Sequence, residues 1–215
     1  ECILGSDSDE AFIWPLWYTK TLGVSSSAKF PSMPNQKRLR LKDPTLSQEF
    51  STLDAQMGFS LTQDADAWLK SLNGKSVEDQ LRERCIKNVR TTIGNICGYM
   101  IAEDDGFSVA LAVAVVSDEG TEDQTVEDMA LTLGHEIGHT FQFDIASRPP
   151  VDRAPPMERG SELWELVESF CESFGTRWLE IGGNREKAIK TFERLWGISE
   201  GIRRRAAKTM SKNSK

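Results

Sequence analysis

Between Glu122 and Phe143 the chain carries Val126, Met129, Leu133, Ile137 and Phe141 at intervals of three and four residues. That spacing puts one apolar stripe on an α-helix. The same segment holds His135 and His139, the only two histidines among 215 residues, with Glu136 directly after the first. Residues four apart on a helix lie nearly on one line, about 6 Å from each other. Two imidazoles so placed can ligate one metal ion, while Glu136 is turned off that line and can act on water instead. Gly138 is expected to keep the substrate side of the helix free of bulk. The bland alternative, two incidental surface histidines, needs both the spacing and the intervening Glu to be accidental.

The histidine count narrows the kind of site. A structural zinc is closed by four protein ligands, usually including Cys, and Cys2, Cys85, Cys97 and Cys171 form no C-x-x-C pair. A three-histidine site is impossible, and Gln142 and Ile145 stand where the metzincin pattern H-E-x-x-H-x-x-G-x-x-H needs Gly and His. The third ligand is then a carboxylate, or else a Tyr or Cys. A second helix, predicted over Ser161 to Ile181 and stopped by Gly182-Gly183, offers Glu165, Glu168 and Glu172 beside the stripe Leu163, Val167, Phe170, Phe174 and Trp178. Glu165 is expected on a solvated face and Glu168 at the metal, as in the His₂Glu sites of thermolysin-like enzymes.

His135-Glu136-x-x-His139 followed by Glu168-x-x-x-Glu172 resembles the gluzincin pattern H-E-x-x-H … E-x-x-x-D. Over about residues 107–180 the text Leu131-Thr132-Leu133-Gly134-His135-Glu136-Ile137-Gly138-His139, then Glu168-x-x-x-Glu172-x-Phe174-Gly175, is similar to the ImmA/IrrE group of small zinc peptidases. Members of that group usually have Asn where Glu172 stands. The resemblance implies Zn²⁺ held by His135, His139 and Glu168, with Glu136 as general base for a zinc-activated water. It implies that Glu172 orients a ligand histidine and that an extended peptide substrate pairs with the strand before the active helix. It also implies a zincin-like α+β fold, with a small, mostly antiparallel sheet on the active helix and a helical C-terminal part. No third histidine is available as oxyanion donor, which leaves Tyr99, Tyr18, Arg153 or Arg177. The rival is a non-catalytic zincin-fold module that binds or senses a protein partner.

Three segments are expected: an irregular N-terminal stretch 1–45, a catalytic domain 46–183 and a basic helical extension 184–215. Pro15, Pro31, Pro34 and Pro44 break up the first, and Trp14, Trp17 and Tyr18 suit packing on the body. Helices are predicted over 61–72 and from Ser76 to Ile93, strands over Cys97–Ala102 and Phe107–Val116, with a hairpin turn at Glu103-Asp104-Asp105-Gly106. Asn184 is expected to cap a helix over Arg185–Trp196. No apolar run approaches the roughly 20 residues of a membrane span. The net charge of −7 disfavours nucleic acid as main ligand, although Arg203-Arg204-Arg205 makes the C-terminal end basic. The chain opens on Glu1, as a fragment or a processed chain does, and no signal-peptide pattern follows. Unpaired cysteines fit a reducing, cytoplasmic setting better than a secreted one.

Overall fold

The computed structural model describes residues 44–118 and 120–192. The expected irregular N-terminal segment, Tyr18 within it, and the basic run past residue 192 lie outside the described residues. Four short helices come first: α1 (Leu46–Glu49), α2 (Leu53–Met57), α3 (Leu61–Lys70) and α4 (Val77–Glu83). Local caps set their starts. Thr45 closes a capping box with Gln48, and Ser76 accepts a hydrogen bond from the Asp79 backbone at the head of α4. Asp66 on α3 accepts from the Leu46 and Ser47 backbones, at 3.0 Å each, which fastens α1 to α3.

The helix predicted from Ser76 to Ile93 stops ten residues early. Cys85 takes a left-handed turn (φ 58°), and the chain leaves as strand β1 (Ile86–Gly94). Val77, Leu81, Cys85 and Val89 keep a helical interval, but Val89, Thr91, Thr92 and Ile93 are β-branched and lose rotamer freedom in a helix. Pairing with the apolar strand β3 then wins. The hairpin is as expected: β2 (Gly98–Glu103) turns at Asp104-Asp105 into β3 (Gly106–Ser117), with Glu103 opposite Gly106. Strand β4 (Gly120–Asp123) follows.

The sheet is mixed, and β3 is its centre. It runs parallel to β1 and antiparallel to β2 and β4. Ala114 pairs with Ile93 of β1 and with Asp123 of β4, so β4 continues the edge that β2 begins. The Phe107–Val116 strand, expected to meet substrate along a free edge, is therefore interior; β1 lies on one side, β2 and β4 on the other. Its residues Phe107, Val109, Leu111 and Val113 point into the core, towards the helices.

Helix α5 (Val126–His139) covers that face, and a second long helix, α6 (Glu162–Glu180), packs on α5. Helix α5 starts at a Thr125–Asp128 capping box, so Glu122 and Asp123 belong to β4 rather than to the helix. It continues through a 3₁₀ turn, Thr140–Gln142. Met129, Leu133, Ile137 and Phe141 are buried, as their spacing requires. Helix α6 is capped by Ser161 and buries Val167, Phe170, Phe174 and Trp178. A two-strand ladder of β5 (Phe143–Asp144) and β6 (Val151–Asp152) lies between them. Residues 184–192 are helical, but Asn184 does not cap them. Its side chain is buried, exchanging hydrogen bonds with Gln80 and donating to the Trp178 carbonyl. Among the described residues no helix is long and apolar enough to cross a membrane.

Helices α5 and α6 run antiparallel and touch through their backbones. A Cβ on Gly134 would lie 2.8 Å from the Gly175 Cα, and one on Gly175 would lie 2.9 Å from the His135 nitrogen. Gly138 faces the Cys171 backbone and thiol, at 3.2–3.3 Å from a built Cβ. Its small size thus serves helix packing rather than an open substrate side. Gly175→Ala should cost about 1–3 kcal/mol, because the new methyl meets backbone that cannot step aside, and Gly138→Ala should cost less. Chemical denaturation of both variants checks the order; equal stability of Gly175→Ala and wild type would contradict this packing.

Candidate metal centre

Helix α5 is enclosed on almost every side. Past Asp128, Ala130, Thr132, Gly134, Glu136 and Gly138 are buried along with the apolar stripe, and Leu131, His135 and His139 form the single partly open line. Both imidazoles lie on that line, one turn apart. Across the glycine contact, α6 presents Glu168.

The His135 and His139 Nε2 atoms are 2.9 Å apart. The Glu168 carboxylate places Oε2 3.3 Å from His135 Nε2 and Oε1 3.6 Å from His139 Nε2. Among the described residues these three form the one group of His, Cys, Asp or Glu side chains that could hold a metal ion. Tetrahedral bonds of about 2.0–2.2 Å separate ligand atoms by about 3.3–3.6 Å. Two edges of the triangle meet that range and the His–His edge is short, so two nitrogens and one oxygen fit a transition metal after a small ring movement. Imidazole suits zinc, copper, iron and nickel. The Cys171 thiol, first through burial and then through Glu168, Glu136 and Glu172, is raised well above its ordinary pKa and stays protonated. It is a poor competitor as ligand.

Electrostatics divides the four groups. Glu136, 6% exposed, is pushed up to about 7 by burial; the His135 charge pulls it down and the Glu168 charge adds to the rise. His139 is pushed down to about 4 by burial and by the His135 charge, against the pull of Glu168. At His135 burial also opposes charge, but the hydrogen bond with Glu168 and the nearby carboxylates outweigh it, and its pKa is raised. Burial works against the charge on Glu168 as well. Its bond with His135 and the charges of His139, His135 and Arg159 prevail, and its pKa is lowered. His135 and Glu168 thus favour each other's charged forms, beside a His139 held neutral and a Glu136 carboxyl that titrates near neutrality.

Other expected members stand elsewhere. Glu165 is exposed, as expected. Glu172 is also exposed; it acts on His135 through charge alone, and its carboxylate makes no hydrogen bond to either imidazole. The far nitrogen of His139 instead meets the Gln142 side-chain amide at 2.7 Å. Only its place three residues after His139, one turn on, could have signalled Gln142 in the sequence. Tyr99 pairs with Ala110, between the core-facing Val109 and Leu111, so its side chain belongs to the sheet face turned away from α5. Arg177 binds Glu49 and the Pro44 carbonyl, and Arg153 binds the Phe141 carbonyl. None of the three is brought to the His–His–Glu group. Comparison with protein-family models, with curated proteins and with solved structures finds no match to this chain.

The two extreme shifts act oppositely on stability. Glu136, raised when folded, favours the fold below about pH 4.5, and that contribution is lost as pH rises through about 7. His139, depressed when folded, favours the fold above about pH 6.5 and loses this as pH falls through about 4. Glu136→Gln removes only the first. In metal-free protein the variant should gain on wild type from pH 4.5 to 8, by at most about 3 kcal/mol. Denaturation curves across that range measure the gap; a gap independent of pH would contradict a buried, ionisable Glu136.

Proposed function

We propose that this chain is a zinc-dependent endopeptidase of the zincin type, with the gluzincin ligand set His135, His139 and Glu168. One observation carries the proposal: the ligand atoms of an H-E-x-x-H helix and of a glutamate from a separate helix converge within 3.6 Å, with the intervening Glu136 buried beside them. The mixed α+β architecture, with a small sheet under the active helix, supports the same reading.

When bound, zinc supplies Lewis acidity and lowers the pKa of a water. The protein groups do the rest. His135, His139 and Glu168 would hold the ion. Glu136, with a pKa of about 7 before metal binds, is matched to taking a proton from water and returning it to the leaving amine near neutral pH. An intact base in this place sets the proposal apart from a module that only binds.

Among the described residues β2 pairs only with β3, and an extended peptide substrate would add along its other edge. Gly98 at its start packs against Thr132, so closely that a Cβ there would meet the threonine methyl at 2.5 Å. Thr132 is one turn ahead of Glu136, so the edge runs beside the site. Backbone groups on a strand edge can pair with an added strand.

Glu136→Gln should bind zinc as wild type does and lose turnover by about 10²–10⁴-fold, since Gln cannot accept the proton. Cleavage of a peptide library by zinc-loaded protein measures it, and near-native cleavage by the variant would sink the mechanism. Glu168→Ala should lose zinc at concentrations where Glu172→Ala, which removes an exposed carboxylate, still holds it. Competition with a chromogenic chelator reads both, and zinc loss on Glu172→Ala with retention on Glu168→Ala would reassign the third ligand.

A further inference from the structure

Gln142 is 4% exposed, and its Oε1 is the one buried side-chain polar atom among the described residues with no hydrogen-bond partner. Its Nε2 lies 2.7 Å from His139 Nδ1. The two amide ends are alike in shape, so which one faces the ring is set by hydrogen bonding. His139 turns its other nitrogen, Nε2, to His135 and Glu168. A neutral imidazole that offers its Nε2 lone pair to a metal carries its proton on Nδ1, and an Nδ1–H must donate. With the Gln142 Nε2 toward the ring, the amide N–H₂ faces that N–H, donor against donor. Turning the amide over removes that clash by presenting Oε1 to Nδ1–H, and moves the N–H₂ to the buried position the oxygen leaves.

We propose that Gln142 is a positioning residue for the metal centre, its Oε1 accepting from His139 Nδ1–H and so fixing the tautomer that aims Nε2 at the ion. The proposal rests on the metal reading given above and adds the group that holds His139. The local frame is suited to the task. Gln142 closes the 3₁₀ turn that continues α5, where the Arg84 guanidinium packs over the Phe141 ring at 3.8 Å and Arg84 Nε donates to Thr140 Oγ1 at 2.8 Å. The Gln142 backbone carbonyl accepts from the Arg153 nitrogen. Backbone and flanking side chains are thus pinned, and the amide has little freedom beyond turning over.

Two histidines make the test direct, because long-range ¹H–¹⁵N spectra of the imidazoles contain only two spin systems. Wild type should show His139 as the Nδ1–H tautomer with and without zinc. Gln142→Met, similar in size and unable to accept, should populate both tautomers and weaken zinc binding about 10–100-fold. Gln142→Glu, an acceptor, should restore the Nδ1–H tautomer and the zinc affinity. An Nε2–H tautomer in wild type, or Gln142→Met with unchanged tautomer and affinity, overturns the assignment. Should wild type bind no zinc, the metal reading fails, and the tautomer of His139 in wild type and Gln142→Met still decides the role of Gln142.

Discussion

Helices α5 and α6 approach until backbone meets backbone, and the site depends on that approach. With Gly134 and Gly138 on one helix and Cys171 and Gly175 on the other, no bulky side chain separates them. A glutamate side chain is short, so Glu168 can reach both Nε2 atoms only if its helix lies this near. Glycine inside a helix costs about 1 kcal/mol relative to alanine, and the sequence carries three of them here, at the contact between α5 and α6. Close contact is what offsets that cost. Around it, Trp68 stacks on Phe174 and meets Phe141 edge-on, which fills the space beside the crossing and fixes its angle.

Enclosure of α5 then sets the chemistry. Glu136 sits on the same helix as two imidazoles yet faces buried surroundings, and its pKa rises, whereas Glu168 is paired with His135 and stays ionised. The two carboxylates thereby have their pKa values pushed apart, one suited to carrying protons and one to carrying negative charge. Burial, and after it the charge of the neighbouring His135, depresses His139, which remains a neutral ring able to offer a lone pair.

Much of this was legible in the sequence because it is periodic. The stripes of α5 and α6, the stop of α6 before Gly182-Gly183 and the hairpin at Asp104-Asp105 are local signals, and His135, His139 and Glu168 meet as the pattern implied. The remainder depends on tertiary pairing. Val77, Leu81, Cys85 and Val89 look helical, and only the partner strand β3 makes residues 86–94 extended. Nothing in a one-dimensional reading places Phe107–Val116 at the centre of the sheet rather than its edge, turns Tyr99 to the far face, or aims Gly138 at Cys171. Glu172 is one turn from Glu168, but a turn in that direction leads to solvent, and Gln142 takes the expected contact from the end of α5 instead.

X-ray absorption at the zinc edge of the loaded protein tests the central claim most directly, since it reads the atoms around the ion. Two imidazole nitrogens and carboxylate or water oxygen at about 2.0–2.2 Å, with no sulfur, are expected for a centre closed by His135, His139 and Glu168. A sulfur scatterer near about 2.3 Å, which would bring in Cys171, or a shell without imidazole would contradict it.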